Sequence, residues 1–174
     1  MNSLRAKILF SKNLSSKFFS NKIDPFGGRN LKNAIPNPNR LTDKVAIITG
    51  GSNGIGKATC ELFSKSGIKG MLIADYDEKN GKLLAEKLNE ERKEKFAFFH
   101  KTDMTKTIDI QNMVNENMKH FGKLNIMFNN AGIMNEKDDN PVITEEETWD
   151  LTMNVNLKAV YLCCKYGIPH ILKS

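Results

Sequence analysis

The sequence predicts a doubly wound α/β fold, in which helices cover both faces of a parallel sheet. Four short apolar runs are mostly continuous rather than alternating, which is typical of parallel strands buried on both faces. Helical patterns fall between these runs, so strand and helix alternate along the chain. A glycine-rich turn joins the first strand to the first helix. Right-handed crossovers restrict the possible topologies further.

The strands are predicted at residues 45–48, 71–74, 96–99 and 124–128. The first helix is predicted to end at Gly67. Asp77 is the candidate N-cap of the second helix, which is predicted to bury Leu84 and Leu88. The core-facing positions predicted for the first helix, at the spacing i, i+3, i+4, i+7 and i+8, are Ile55, Ala58, Thr59, Leu62 and Phe63.

The third and fourth helices complete the pattern. The third is predicted to end at Gly122, and the fourth to begin at Thr144, which fits a capping box with Glu147. We expect the fourth helix to continue, with an irregularity, to the last residue, and Trp149 to lie in the core. The apolar positions that predict the third helix are Ile110, Met113, Val114, Met118 and Phe121.

Basic residues are concentrated ahead of the predicted domain. Residues 1–40 contain eight Lys and Arg and one acid, whereas residues 41–174 contain 18 basic and 19 acidic residues. Residues 1–23 contain five serines and no acid, and their apolar residues recur every four positions. This pattern is typical of a transit peptide, and we assign it to mitochondria, with a plastid as the alternative destination. The other interpretation is a solvated basic tail on a cytoplasmic protein. Residues 24–40, rich in Pro and Gly, are predicted to be a linker to a domain at 41–174.

The composition also argues against several classes of function. The near-neutral domain offers no concentration of basic residues for a nucleic acid. No run approaches the ~18 apolar residues of a membrane span. Cys60, Cys163 and Cys164 show neither a metal-site spacing nor a disulfide pattern, so we expect inert thiols and no metal.

The glycine-rich turn predicts a dinucleotide site. Gly50 allows a tight turn after the strand, Gly54 allows a pyrophosphate to approach, and Gly56 allows the helix to pack on the strand. The N–H groups at the start of the helix would then face the phosphates. Asp75 ends the second strand 19 residues beyond Gly56, close to the spacing of a ribose-binding carboxylate. A glycine-rich turn without a ligand is the alternative interpretation.

The charge of Asp75 predicts NAD rather than NADP. Its carboxylate can accept hydrogen bonds from the ribose hydroxyls, whereas a 2′-phosphate would be repelled. Asn53 and Tyr76, where a compensating cation would be expected, are neutral, and Lys79 is the one residue that argues against this prediction.

From about residue 41 to residue 174 the sequence resembles the short-chain dehydrogenase/reductase family, which has a Rossmann fold. The turn described above looks like the family's cofactor motif, and residues 129–132, Asn-Asn-Ala-Gly, look like its second signature. Asp103 lies where the family has an acid that contacts the adenine, and Asn156 where it has a catalytic asparagine. The cofactor-binding residues assigned from these motifs are Gly50, Ser52, Asn53, Gly54, Ile55, Gly56, Asp75, Asp103, Met104, Asn130, Ala131 and Gly132.

The resemblance implies hydride transfer between NAD(H) and a small-molecule alcohol or carbonyl substrate, and we expect the full-length protein to form a homo-oligomer. The family's catalytic Ser and Tyr-x-x-x-Lys are expected on a fifth strand and a fifth helix, so the sheet is predicted to be incomplete after the fourth strand and fourth helix. In the family's strand order the predicted strands lie 3-2-1-4.

Tyr161 and Lys165 share the family's Tyr-x-x-x-Lys spacing but follow Asn156 too closely. A regular helix would aim these side chains in different directions, so we expect a packed tyrosine and an exposed lysine. The chain is interpreted as an inactive fragment of an oxidoreductase; the alternatives are a non-catalytic NAD-binding protein and a structural subunit of an organellar assembly.

Overall fold

The computed structural model describes residues 37–174; the leader predicted at 1–23 and most of the linker predicted at 24–40 lie outside the described residues. Strand and helix alternate through the described part, as the sequence predicts, until the chain ends in a long helical stretch. In order, the elements are β1 Val45–Thr49, α1 Gly54–Lys65, β2 Gly70–Asp75, α2 Glu78–Arg92, β3 Ala97–Lys101, α3 Thr107–Phe121, β4 Ile126–Phe128, α4 Glu146–Met153, a π-helical segment Asn154–Lys158 and α5 Ala159–Ile171.

The four strands form one parallel sheet in the order β3-β2-β1-β4. β1 lies between β2 and β4, with Ala46 paired to Met71 on one side and to Ile126 on the other. Every residue of β1 is buried, because helices cover both faces of the sheet. The predicted fold class and the predicted strand order are therefore confirmed.

Each face of the sheet has its own core. Ile48 and Ile73 pack on one face with apolar side chains of α2, while Ile47 and Leu72 pack on the other with those of α3 and α5. The alternation of neighbouring strand residues between the two faces follows from the period of two in a strand. Within residues 37–174, no helix has both the length and the apolar character needed to cross a bilayer.

Several predicted helix ends are confirmed. The Asp77 side chain accepts a hydrogen bond from the backbone N–H of Asn80 and so caps α2. Gly67 and Gly122 have φ values of 73° and 70°, the left-handed conformation that glycine adopts readily after a helix. Leu84 and Leu88 are buried beneath α2, as predicted.

The predicted core face of α1 is mostly wrong, although Phe63 packs against the core as predicted. Ile55 is 73% exposed and Leu62 is 50% exposed, whereas the buried residues of α1 are Gly56, Cys60 and Ser64. The helix instead packs on the preceding turn through Gly56, where a Cβ would lie 2.0 Å from the Gly50 carbonyl oxygen.

The predicted start of the fourth helix is also wrong. α4 begins at Glu146, and the hydroxyl of Thr144 accepts a hydrogen bond from the backbone N–H of Asp139 instead of capping the helix. Trp149 is 56% exposed, so its predicted place in the core is wrong too. The predicted irregularity is confirmed as the π-helical segment Asn154–Lys158 between α4 and α5.

Candidate functional site

A cavity of about 750 Å³ opens at the carboxyl ends of the strands, beside the turns that follow β1 and β4. Ligands bind at this edge of a parallel sheet, where the order of the strands reverses. The predicted cofactor-binding residues that line the cavity are Gly50, Asn53, Gly54, Ile55, Asp75, Asp103, Met104, Asn130, Ala131 and Gly132. Ser52 and Gly56, also predicted, are buried and are absent from the lining. Residues of the lining that the sequence did not assign to the site are Tyr76, Thr102, Ile133, Leu151 and Val155.

The glycines of the turn have the conformations that their proposed roles require. Gly50 and Gly54 have φ values of 63° and 53°, in the left-handed region. A Cβ on Gly54 would meet no protein atom within 4 Å, so this position leaves open space on the cavity wall. A Cβ on Gly56 would lie 2.0 Å from the carbonyl oxygen of Gly50, so the helix can approach the turn only with glycine there.

Asp75 is held in place by backbone N–H groups. Ser52 N–H donates to Asp75 Oδ2 at 2.9 Å, and Asp77 N–H donates to Asp75 Oδ1 at 3.0 Å. The Ser52 hydroxyl donates to the Asp77 carbonyl at 3.2 Å, which ties the turn to the end of β2. Each carboxylate oxygen keeps a further lone pair with which to accept a hydrogen bond from a ligand hydroxyl.

The Asn-Asn-Ala-Gly segment lines the cavity and is hydrogen-bonded to the end of β1. The buried hydroxyl of Thr49 accepts hydrogen bonds from the N–H groups of Asn130 and Ala131, at 3.0 and 3.1 Å. The Asn130 amide donates to the carbonyls of Thr49 and Gly50, at 3.0 and 3.2 Å. The two turns that form the cavity wall are therefore fixed relative to each other.

Asp103 presents a second carboxylate to the cavity. The hydroxyl of Thr105 donates to its Oδ1 at 2.6 Å, and the ammonium of Lys106 lies 3.3 Å from its Oδ2. These groups, the Thr105 hydroxyl foremost, lower the pKa of Asp103. The carboxylate is thus ionised at neutral pH and can accept a hydrogen bond from an amino group.

Asn156 lies on the π-helical segment and is absent from the cavity lining. Its side chain makes two hydrogen bonds to the backbone of one residue: Oδ1 accepts from Ile133 N–H and Nδ2 donates to the Ile133 carbonyl, both at 2.8 Å. The side chain therefore positions the cavity wall just beyond Gly132. Its predicted catalytic role stays a prediction.

Tyr161 and Lys165 do not belong to the site. Tyr161 is 60% exposed, so the predicted packed tyrosine is wrong, while Lys165 is exposed as predicted. Neither residue lines the cavity, and Tyr76 is the one tyrosine that does so in the described part of the chain.

Inert thiols were predicted for all three cysteines, and two of them have this character. Burial raises the pKa of the Cys60 and Cys163 thiols to about 12, which leaves them protonated and unreactive at neutral pH. Cys164 is partly exposed, and all three thiols are free. Among residues 37–174, no cluster of three or more His, Cys, Asp or Glu side chains is arranged to hold a metal ion.

Comparison with known proteins finds relatives over the same part of the chain. A family model described as short chain dehydrogenase matches residues 44–174. Tropinone reductase-like 1 from Erythroxylum coca is 41% identical over 130 residues, which cover 74% of this chain and 46% of that protein. Secoisolariciresinol dehydrogenase from Forsythia intermedia is 35% identical over 128 residues, which cover 74% and 45%. The chain spans about half the length of the curated relatives it matches.

Solved structures show the same relationship. The 3-ketoacyl-(acyl-carrier-protein) reductase from Brucella melitensis, complexed with NADH, matches with a TM-score of 0.68 and 34% identity over 75% of this chain and 50% of that one. A short chain dehydrogenase/reductase from Burkholderia phymatum, in complex with NAD, matches with a TM-score of 0.71 and 25% identity over 77% and 46%.

Proposed function

Since the chain belongs to the short-chain dehydrogenase family, we propose that it forms the nucleotide-binding part of an oxidoreductase that uses NAD(H). The cleft suits a dinucleotide on two observations of its own. Gly54 has no side chain to fill the open space of the cavity at this point of the wall. Asp75, which lines the same cavity, keeps carboxylate lone pairs that can accept hydrogen bonds from a ligand. When bound, the nicotinamide supplies the chemistry by accepting or donating a hydride.

The observation that carries the choice of NAD is the fixed carboxylate of Asp75 at the end of β2. Its oxygens are held by two backbone N–H groups and cannot swing away from a ligand without breaking both bonds. A 2′-phosphate within ~4 Å of this carboxylate would be repelled by about 4 kcal/mol per pair of unit charges at an effective dielectric constant of ~20. The neighbouring lining residues Asn53 and Tyr76 carry no positive charge, and Lys79 does not line the cavity.

We expect Asp75→Ala to reduce the preference for NAD(H) over NADP(H) by about tenfold or more, because it removes both the ribose acceptor and the repulsion. The measurement is isothermal titration calorimetry of both cofactors. Glu86→Gln, an exposed site on α2 outside the cavity lining, removes an equal charge and serves as the matched control. Circular dichroism checks the fold of each variant. Equal affinities of the unmutated chain for the two cofactors would contradict the assignment.

For the whole protein we propose hydride transfer with a small-molecule alcohol or carbonyl substrate. The described residues contribute the cofactor cleft and its support, and the family's Ser and Tyr-x-x-x-Lys would supply the proton transfer. Asn156 would act with them through the wall segment that its side chain holds at Ile133. We also propose that the full-length protein is a homo-oligomer.

We further propose that residues 1–40 direct the protein to an organelle, with the mitochondrion preferred over the plastid. The acid-free basic composition of residues 1–23 supports this proposal. Fused to a fluorescent reporter, residues 1–40 are expected to send it into the organelle, as seen by microscopy. A matched fusion with Arg5, Lys7 and Lys12 changed to Gln should stay in the cytosol. A diffuse cytosolic signal from the unmutated fusion would exclude the proposal.

A further inference from the structure

A cation lies beside the end of the cleft that Asp75 occupies. Asp75 and Lys101 are register partners in the neighbouring strands β2 and β3, so their backbones are about one strand spacing, ~4.8 Å, apart. The Lys101 ammonium is 5.8 Å from the centre of the Tyr76 ring, and Tyr76 lines the cavity. A phosphate on the ribose that Asp75 binds would thus come near a positive charge.

Glu78 holds this cation. The carboxylate of Glu78 lies at the start of α2, with Oε2 3.3 Å from Lys101 Nζ and Oε1 2.7 Å from Lys82 Nζ. The side chains of this cluster are 44–59% exposed, so water and ions reach them. The two lysines, Lys82 first, lower the pKa of Glu78, and its negative charge is therefore present at neutral pH.

We propose that Glu78 is a selectivity residue for the cofactor, because its carboxylate engages the Lys101 ammonium that would otherwise be available to a 2′-phosphate. The inference rests on the proposed NAD(H) site and deepens it. Asp75 disfavours the phosphate by direct repulsion, whereas Glu78 acts through Lys101 by neutralising a favourable partner. Asp75 and Glu78 therefore both favour NAD(H) over NADP(H), but through different contacts.

Glu78→Gln tests this role because glutamine keeps the shape of the side chain and removes the charge. In the full chain, we expect the ratio of the NADP+ to the NAD+ dissociation constant to fall about fivefold, the size of one solvent-exposed charge contact. This gain in relative affinity for NADP+ should shrink at high ionic strength, since exposed charges are screened. A purely structural role of Glu78 would not produce this salt dependence. The matched control is Glu86→Gln, an exposed position on the same helix, and it should leave the ratio unchanged.

The double variant Glu78→Gln/Lys101→Met separates the two ways in which Glu78 could act. If Lys101 is the released cation, Glu78→Gln has no effect on the ratio when Lys101 is already Met. The inference is overturned if Glu78→Gln still raises the relative affinity for NADP+ when Lys101 is Met, or if its effect is no larger than that of Glu86→Gln. Either result leaves the proposed NAD(H) site intact. An unmutated chain that binds neither cofactor, or prefers NADP(H), overturns the proposed function and this inference together.

Discussion

Replacing Gly56 with Ala is expected to destabilise the domain by about 3 kcal/mol or more, a large share of the ~5–15 kcal/mol that stabilises a typical domain. The added Cβ would lie 2.0 Å from the Gly50 carbonyl oxygen and 2.8 Å from the Asn130 amide nitrogen. The first of these contacts is with backbone, so no side-chain rotation relieves it. The start of α1 must then move away from the turn, which displaces the N–H groups that would face the phosphates of the cofactor. Thermal unfolding followed by circular dichroism measures the loss.

Gly54→Ala is the matched variant, because it adds the same methyl group two residues away. Its Cβ would meet no protein atom within 4 Å, so the cost in stability is limited to about 1 kcal/mol for the left-handed φ of 53°. The methyl group would instead occupy the open space of the cleft, and we expect a weaker affinity for NAD(H) with a nearly unchanged melting temperature. Equal effects of the two variants on stability would show that the approach of Gly56 does not limit the fold.

The central sheet was predictable because its signal is local and strong. β1 and β2 are nearly continuous apolar runs, and a parallel strand buried on both faces needs such a run. The glycine turn was predictable for the same reason, since a tight turn between a strand and a helix constrains which residues can occupy it. Most of the predicted cofactor-binding residues consequently lie together in one cavity.

Other features depend on contacts that the spacing of residues does not reveal. α1 carries an apolar stripe with Ile55 and Leu62, yet both side chains are exposed and the helix meets the turn through Gly56 instead. The bonds between Asn156 and Ile133 join residues 23 positions apart, and only the fold brings them together. The Glu78–Lys101 pair likewise forms because β2 and β3 end at the same edge of the sheet.

Hydride transfer is expected to be undetectable when the 174-residue chain is tested with NAD+ and simple alcohols. No lysine lines the cavity of the described domain. The one tyrosine in the lining, Tyr76, follows Asp75 directly and is 70% exposed. The reaction needs a group that exchanges a proton with the substrate oxygen, and the lining offers no tyrosine–lysine pair to do so. The measurement is NADH absorbance after addition of a panel of alcohols, with cofactor binding confirmed separately.

A chimera with a relative tests whether the proposed cofactor cleft supports catalysis. Residues 1–174 would be joined to the segment that follows the matched region in the Erythroxylum coca relative, chosen for its 41% identity. We expect this chimera to transfer hydride, and Asn156→Ala to remove most of its activity, because the variant releases the wall at Ile133. Tyr161→Phe should cost less than twofold in rate, since Tyr161 lies on the exposed face of α5 outside the cavity. Turnover by the unextended chain that Tyr161→Phe abolishes would instead identify Tyr161 as the catalytic tyrosine.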